Sequence, residues 1–290
     1  MHIAIGLILI SALTNALIGA MMKRADDRIL FRGIMGGISA LILLPALFFV
    51  PVPPASIWVW LIIGAGLHFA YQLAQVGAYN RADMSLVYPI MRGIAPALAA
   101  GFALIILQEP LSAAQLTGLM ISVLALFGFA WPQKKTVQLD RTIKYALGFA
   151  VLCGVLTALY TVIDAKGIRL AENLKSTSAI GKASYIVWFF VLDGIGIWAI
   201  ILMIRGRIAL QGLTRKARGG MLPASLNLIC YGSALLAFSL APIAGLAAMR
   251  ELSIVFGAII AALWLKESFG AKRIALSIAL AFGLILLHWA

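Results

Sequence analysis

Charge is what this 290-residue chain has least of. Charged residues make up 11% of it, and only 10 are acidic. A soluble domain carries about 25% charged residues, so there is too little polar surface here to cover a water-soluble particle. Cysteine is scarce as well. Cys153 and Cys230 each sit alone in an apolar stretch, without metal-site spacing, and read as packing residues. There is no HExxH, no Walker loop, no dinucleotide-binding glycine fingerprint and no Cys/His cluster. These absences argue against soluble enzyme chemistry, a metal, a cofactor and self-contained ATP-driven pumping.

Hydrophobic residues are abundant instead, at 63% of the chain. A bilayer core of about 30 Å needs roughly 20 apolar residues per helix. Ten segments meet that length: 3–22, 33–50, 57–79, 84–107, 113–131, 144–163, 183–204, 222–240, 242–265 and 272–289. The first has no preceding Lys or Arg, so it reads as a transmembrane helix and not as a signal peptide. Pro51, Pro53 and Pro54 close the second segment, and Gln108-Glu109-Pro110 closes the fourth. The basic stretch 205–220 is expected to be a short segment lying on anionic lipid.

The chain repeats itself. Met91-Arg92 leads through an apolar run to Glu109, and Met249-Arg250 leads at the same spacing to Glu267. Ala78-Tyr79-Asn80 pairs with Ala237-Phe238-Ser239 at nearly the same offset. The polar stretch near the middle then divides two halves, 1–131 and 143–290, joined by a linker at 132–142. Five segments per half is an odd number, so the second half enters the membrane from the opposite side. The expected fold is an all-α integral membrane protein of ten transmembrane helices, built as two inverted five-helix repeats.

The net charge of +13 belongs to loops, not to a nucleic-acid-binding surface. Loops on one side of the ten segments carry 17 Lys and Arg, and loop 6–7 on the other side carries 4. By the positive-inside rule both termini are expected outside the cytoplasm.

The run from Pro96 to Glu109, followed by Leu111-Ser112 and Gly118, resembles the repeat of the drug/metabolite transporter superfamily, EamA type. Met249-Arg250-Glu251-Leu252-Ser253 through Glu267-Ser268 is similar to a second copy, with Ile254 where the first has proline. The resemblance covers nearly the whole chain. It implies a ten-helix carrier of the bacterial cytoplasmic (inner) membrane that works by alternating access, often as an exporter of amino acids or other metabolites. Members are commonly drawn with both termini in the cytoplasm; the loop charges here argue the reverse. The leading expectation is a secondary transporter of a small anionic or zwitterionic, amino-acid-like metabolite. The alternative is a flippase for a lipid-linked sugar or a lipid headgroup.

Candidate binding residues follow from polarity placed in hydrocarbon. His68, Gln72, Gln75 and Tyr79 share one helical face of the third segment, with Tyr71 beside them. Asn227, Tyr231, Ala234 and Phe238 repeat the spacing in the eighth. Such a stripe either bonds helix to helix or lines a wet cavity. Arg92 and Arg250 stay protonated and need an anion, carbonyls or water. They either pair internally, with Glu251 or Asp193 as intramembrane carboxylates, or meet an anionic substrate. Glu251 lies about 100° round an ideal helix from Arg250 and is expected to face elsewhere. Together His68, Tyr71, Gln72, Gln75, Tyr79, Arg92, Tyr231 and Arg250 are expected to line one central space. Asp193, Glu251 and His68 are the candidates for proton coupling.

Other residues are given local roles. Thr157, Tyr160, Thr161 and Asp164 are expected at the mouth, ending the sixth segment. Glu109 and Glu267 are expected at the interface, paired with nearby Lys or Arg. Gly33 and Gly37 mark a packing seam, and Trp58, Trp60, Trp131 and Trp289 read as interface anchors.

Overall fold

Proline and glycine punctuation sets the helix ends. A computed structural model describes residues 2–82, 84–130, 140–172 and 178–256, and beyond them 275–276, 278–280, 282–283 and 286. The helices are α1 (His2–Lys23), α2 (Arg28–Leu43), α3 (Ala55–Tyr79), α4 (Met84–Phe102), α5 (Ala113–Ala130), α6 (Arg141–Glu172), α7 (Ser178–Arg205), α8 (Arg207–Phe238) and α9 (Ile243–Arg250). Every regular element among the described residues is helical, and seven helices there are long and apolar enough to cross a membrane. Asp27 caps α2 by accepting from the Leu30 amide at 3.1 Å. Pro45 then turns the end of α2 into a 3-10 helix, Leu44–Phe48. Ser112 and Gln115 cap α5 reciprocally, each side chain accepting from the other's amide at 3.1 and 3.0 Å. Gly206, at φ +53, supplies the left-handed turn between α7 and α8.

Side chains are distributed as a lipid solvent requires. Ile3, Ile10, Leu41, Ile62, Ile105 and Leu124 are exposed, whereas Ser11, Gln72, Arg92, Asp164, Asp193 and Arg250 are buried. In hydrocarbon, apolar surface has nothing to gain by hiding, and polar groups must find partners inside.

Two compact units form, Met1–Phe69 with Ile163–Ala241, and Ala70–Val162 with Pro242–Ala290. Their limits fall within α3 and α6, not at 132–142, so packing and sequence repetition divide the chain differently. In the first unit α1 packs on α8, and α2 packs on α7 and α8. The glycine seam on α2 is what lets α7 approach. A Cβ at Gly37 would overlap the Trp198 indole, and one at Gly33 would overlap Ile201. In the second unit α4 packs on α5 and α9.

Three elements depart from expectation. The sixth segment continues past 163 to Glu172. Asp164 and Arg169 do not end it, because the protein answers both internally. Two tyrosine hydroxyls bond Asp164, and the carbonyls of Phe238 and Ala241 accept from Arg169 at 2.9 and 2.8 Å. The eighth segment is likewise longer, since the basic stretch 207–218 is the first part of α8 and runs on through Pro223. The ninth breaks at Glu251, which forms a turn before helix resumes at 252. Most of linker 132–142, the rest of the ninth segment, most of the tenth, Glu267, Trp131 and Trp289 lie outside the described residues.

Candidate functional site

The second unit holds the arginines. Glu251 Oε1 accepts from Arg92 Nη1 at 3.3 Å, with both side chains buried. Arg250, also buried, and Glu251 line one small cavity of about 10 Å³ with Pro96, Thr157 and Thr161. Glu251 does not face away from Arg250 as an unbroken helix would place it: α9 ends at Arg250, and the turn at Glu251 brings the two neighbours to the same space. Glu251 Oε2 has no hydrogen-bond partner among the described residues. Two guanidinium groups and one carboxylate therefore meet in this part of the unit, in surroundings where charge is costly. Close by on α3 and α6, Gln75 donates to the Tyr71 hydroxyl at 2.9 Å, and the Tyr71 ring meets Tyr160 edge-on at 5.5 Å.

The first unit holds a different cluster. His68 Nδ1 and Asp193 Oδ1 are 2.8 Å apart. The His68 ring lies over Tyr231 at 5.2 Å and meets Phe189 edge-on at 5.5 Å. Fully buried Asp164 on α6 accepts from Tyr185 at 2.9 Å and, on its other oxygen, from Tyr231. Gly64 on α3 makes room for it, since a Cβ there would overlap Asp164 Oδ1.

Helices with lipid-facing apolar sides, and buried charge gathered around a broken helix, are the features of a membrane carrier. Residues 2–131 match the EamA-like transporter family. This span belongs to the EamA-type transporters. Seven helices among the described residues are long and apolar enough to cross a membrane, so the chain is a multi-pass membrane protein whose residues 2–131 match a transporter family of the drug/metabolite type. No curated protein matches it. A protein crystal structure is similar over 99% of this chain and 98% of its own, with a TM-score of 0.73 at 14% identity. At that identity the likeness concerns the fold alone.

The eight predicted binding residues divide between the units. His68 and Tyr231 stack in the first; Tyr71, Gln72, Gln75, Tyr79, Arg92 and Arg250 belong to the second. Of the coupling candidates, Asp193 bonds His68 and Glu251 bonds Arg92. Thr157 and Thr161 line the arginine cavity, while Asp164, expected at a mouth, is fully buried. Glu109 accepts from the Ile243 amide at 2.8 Å. Trp58 packs edge-on against Trp188 at 5.0 Å, so it serves helix packing as well as any anchoring. The sequence reasoning missed Tyr185 altogether. An aromatic hydroxyl among Val, Trp and Phe gives no signal until its partner on another helix is known.

Proposed function

We propose that this transporter moves a small zwitterionic or anionic metabolite, amino-acid-like in charge, out of the cell by alternating access across a bacterial cytoplasmic membrane. One observation carries this most: Arg250 and Glu251 line the same cavity, with Arg92 on one oxygen of Glu251 and the other oxygen without a hydrogen-bond partner among the described residues. A substrate carboxylate suits the guanidinium fork, and a substrate ammonium group offers donors to Glu251 Oε2. Ligand pockets usually measure about 300–1,000 Å³. A cavity of about 10 Å³ admits roughly one water, so on this reading substrate enters in a conformation with a wider site.

Two packing relationships support inverted repeats. α2 packs on α7, and α4 packs on α9. Each pair joins segments that occupy matching places in the two halves, an arrangement compatible with a two-fold axis in the membrane plane.

The experiment is counterflow in proteoliposomes against a panel of amino acids, organic acids and amines. Zwitterions or anions should exchange, and Arg250→Ala at normal thermal stability should slow exchange at least about tenfold, the loss of one charge-assisted contact. Exchange of cations alone, or full activity in both Arg92→Ala and Arg250→Ala, would refute the assignment. Scrambling of labelled lipid with no soluble substrate would favour a headgroup flippase.

A further inference from the structure

The arginine cavity leaves the polar cluster of the first unit without a role. We infer that Asp164 is an exchangeable proton site, alternating between carboxylate and carboxylic acid while the surrounding fold stays intact. The inference goes beyond the transport assignment and does not depend on it.

The shell around Asp164 is the reason. Its two oxygens accept from Tyr185 on α7 and Tyr231 on α8, and among the described residues neither is bonded to a cation. The other titratable groups bearing on it are His68 of α3 and Asp193 of α7, and those two bond each other at 2.8 Å. On α6 itself, Arg169 is engaged by the carbonyls of Phe238 and Ala241.

A phenol differs from a guanidinium in one decisive respect. It donates one hydrogen and also accepts on two lone pairs, whereas a guanidinium only donates. With Asp164 ionised, both phenols donate to it. When a proton from water adds to Oδ2, that bond reverses: the acid O–H donates to the Tyr231 oxygen, the phenol hydrogen turns about its C–O bond, and Tyr185 continues to donate to Oδ1. One proton has been taken up, and both contacts survive. Glu251 is built in the opposite way. Its partner is Arg92, so protonating it would sacrifice an ion pair and leave a buried cation. One carboxylate therefore gives up an ion pair when it is protonated, and the other is surrounded by groups that tolerate either charge.

Gly64 and Gly167 make this shell possible. A Cβ on the first would strike the carboxylate, and one on the second would strike the Tyr185 ring. Full burial of the carboxylate, closely packed against Gly64 of α3, also means that exchange with water follows opening of the unit. That is the property a coupling site requires.

The test is infrared difference spectroscopy of the full-length protein in lipid, titrated between acid and alkaline buffer with no substrate present. The wild type should show a protonated-carboxyl stretching band that appears on acidification. Asp164→Asn, which keeps the shape, should lose that band; Glu251→Gln should keep it. Tyr231→Phe, which preserves packing, should move the band's midpoint and leave its amplitude, so the inference stays exposed even if Asp164→Asn folds poorly. A wild type without a titrating band, a band undiminished in Asp164→Asn, or a midpoint unmoved in Tyr231→Phe would each overturn it. Because only protons are used, failure here is distinct from failure of the anion-binding proposal.

Discussion

Glu109 holds the start of a helix that begins 134 residues later in the chain: its carboxylate accepts from the Ile243 amide at 2.8 Å. Ile243 opens α9, directly after Pro242. The first amides of a helix have no partner within it, and its N-terminus carries partial positive charge. A carboxylate satisfies both. The chain reaches this position through a short π-helical turn, Ala103–Leu107, and a left-handed Gln108 at φ 56. The contact orients α9, and α9 ends at Arg250.

Removing that cap should therefore cost stability first. Glu109→Ala should destabilise the protein by about 1 kcal/mol, and Glu109→Gln, which keeps an acceptor but loses the charge, should cost less. Thermal unfolding in detergent measures both. Equal loss for the two variants would show that the charge at the helix end is the whole effect; no loss for either would show that the contact does not hold α9.

The buried pair Arg92–Glu251 should behave as a unit. Removing one partner leaves an uncompensated buried charge, so Arg92→Met or Glu251→Leu alone should cost about 3–5 kcal/mol. The double variant should recover most of that loss. A double-mutant cycle by chemical or thermal unfolding gives the coupling. Additive losses would show that the two side chains are held by other partners.

Two glycines should respond in opposite directions to the same methyl group. Gly37→Ala drives a carbon into Trp198 on α7 and should destabilise by about 1–3 kcal/mol. Gly66 on α3 has open space where its Cβ would stand. Gly66→Ala should be neutral or stabilise by up to about 1 kcal/mol, through better helix propensity. A neutral Gly37→Ala would mean that α2 and α7 adjust to each other more freely than their contact implies.

Loop charge predicts topology. With 17 basic residues between or at the ends of the ten apolar segments on one face and 4 on the other, whether in loops or in helix ends, both termini should lie outside the cytoplasm. A periplasm-active enzyme fused at the C-terminus should be active and a cytoplasm-active fluorescent reporter dark. The reverse pattern would mean that loop charge does not orient this chain.

Much of the fold was legible because hydrocarbon leaves helices few alternatives. Apolar runs of about 20 residues, broken by Pro51, Pro53 and Pro54 or by Gln108-Glu109-Pro110, located the helical stretches of α1, α3, α4 and α5 within a few residues, whereas α2 already begins at Arg28, before its apolar run at 33. Helix ends depart from the sequence pattern where a charge lies inside a helix. Asp164 and Arg169 lie inside α6 because Tyr185, Tyr231 and two backbone carbonyls on other elements satisfy them, and a window sliding along one helix carries no information about its neighbours.

The sequence by itself determined the solvent, the helical class, the repetition of Arg92 and Arg250, and the glycine seam on α2. Each of these is local: composition, period or spacing is enough to express it. Tertiary structure alone decided who answers whom. His68 went to Asp193, Arg92 to Glu251, Glu109 to the Ile243 amide, and Asp164 to a pair of phenols. Those pairings join residues from 21 to 159 positions apart. The reason is physical. A buried polar group must find a partner somewhere in the protein, and helix packing, not sequence spacing, decides which one is within 3 Å or so.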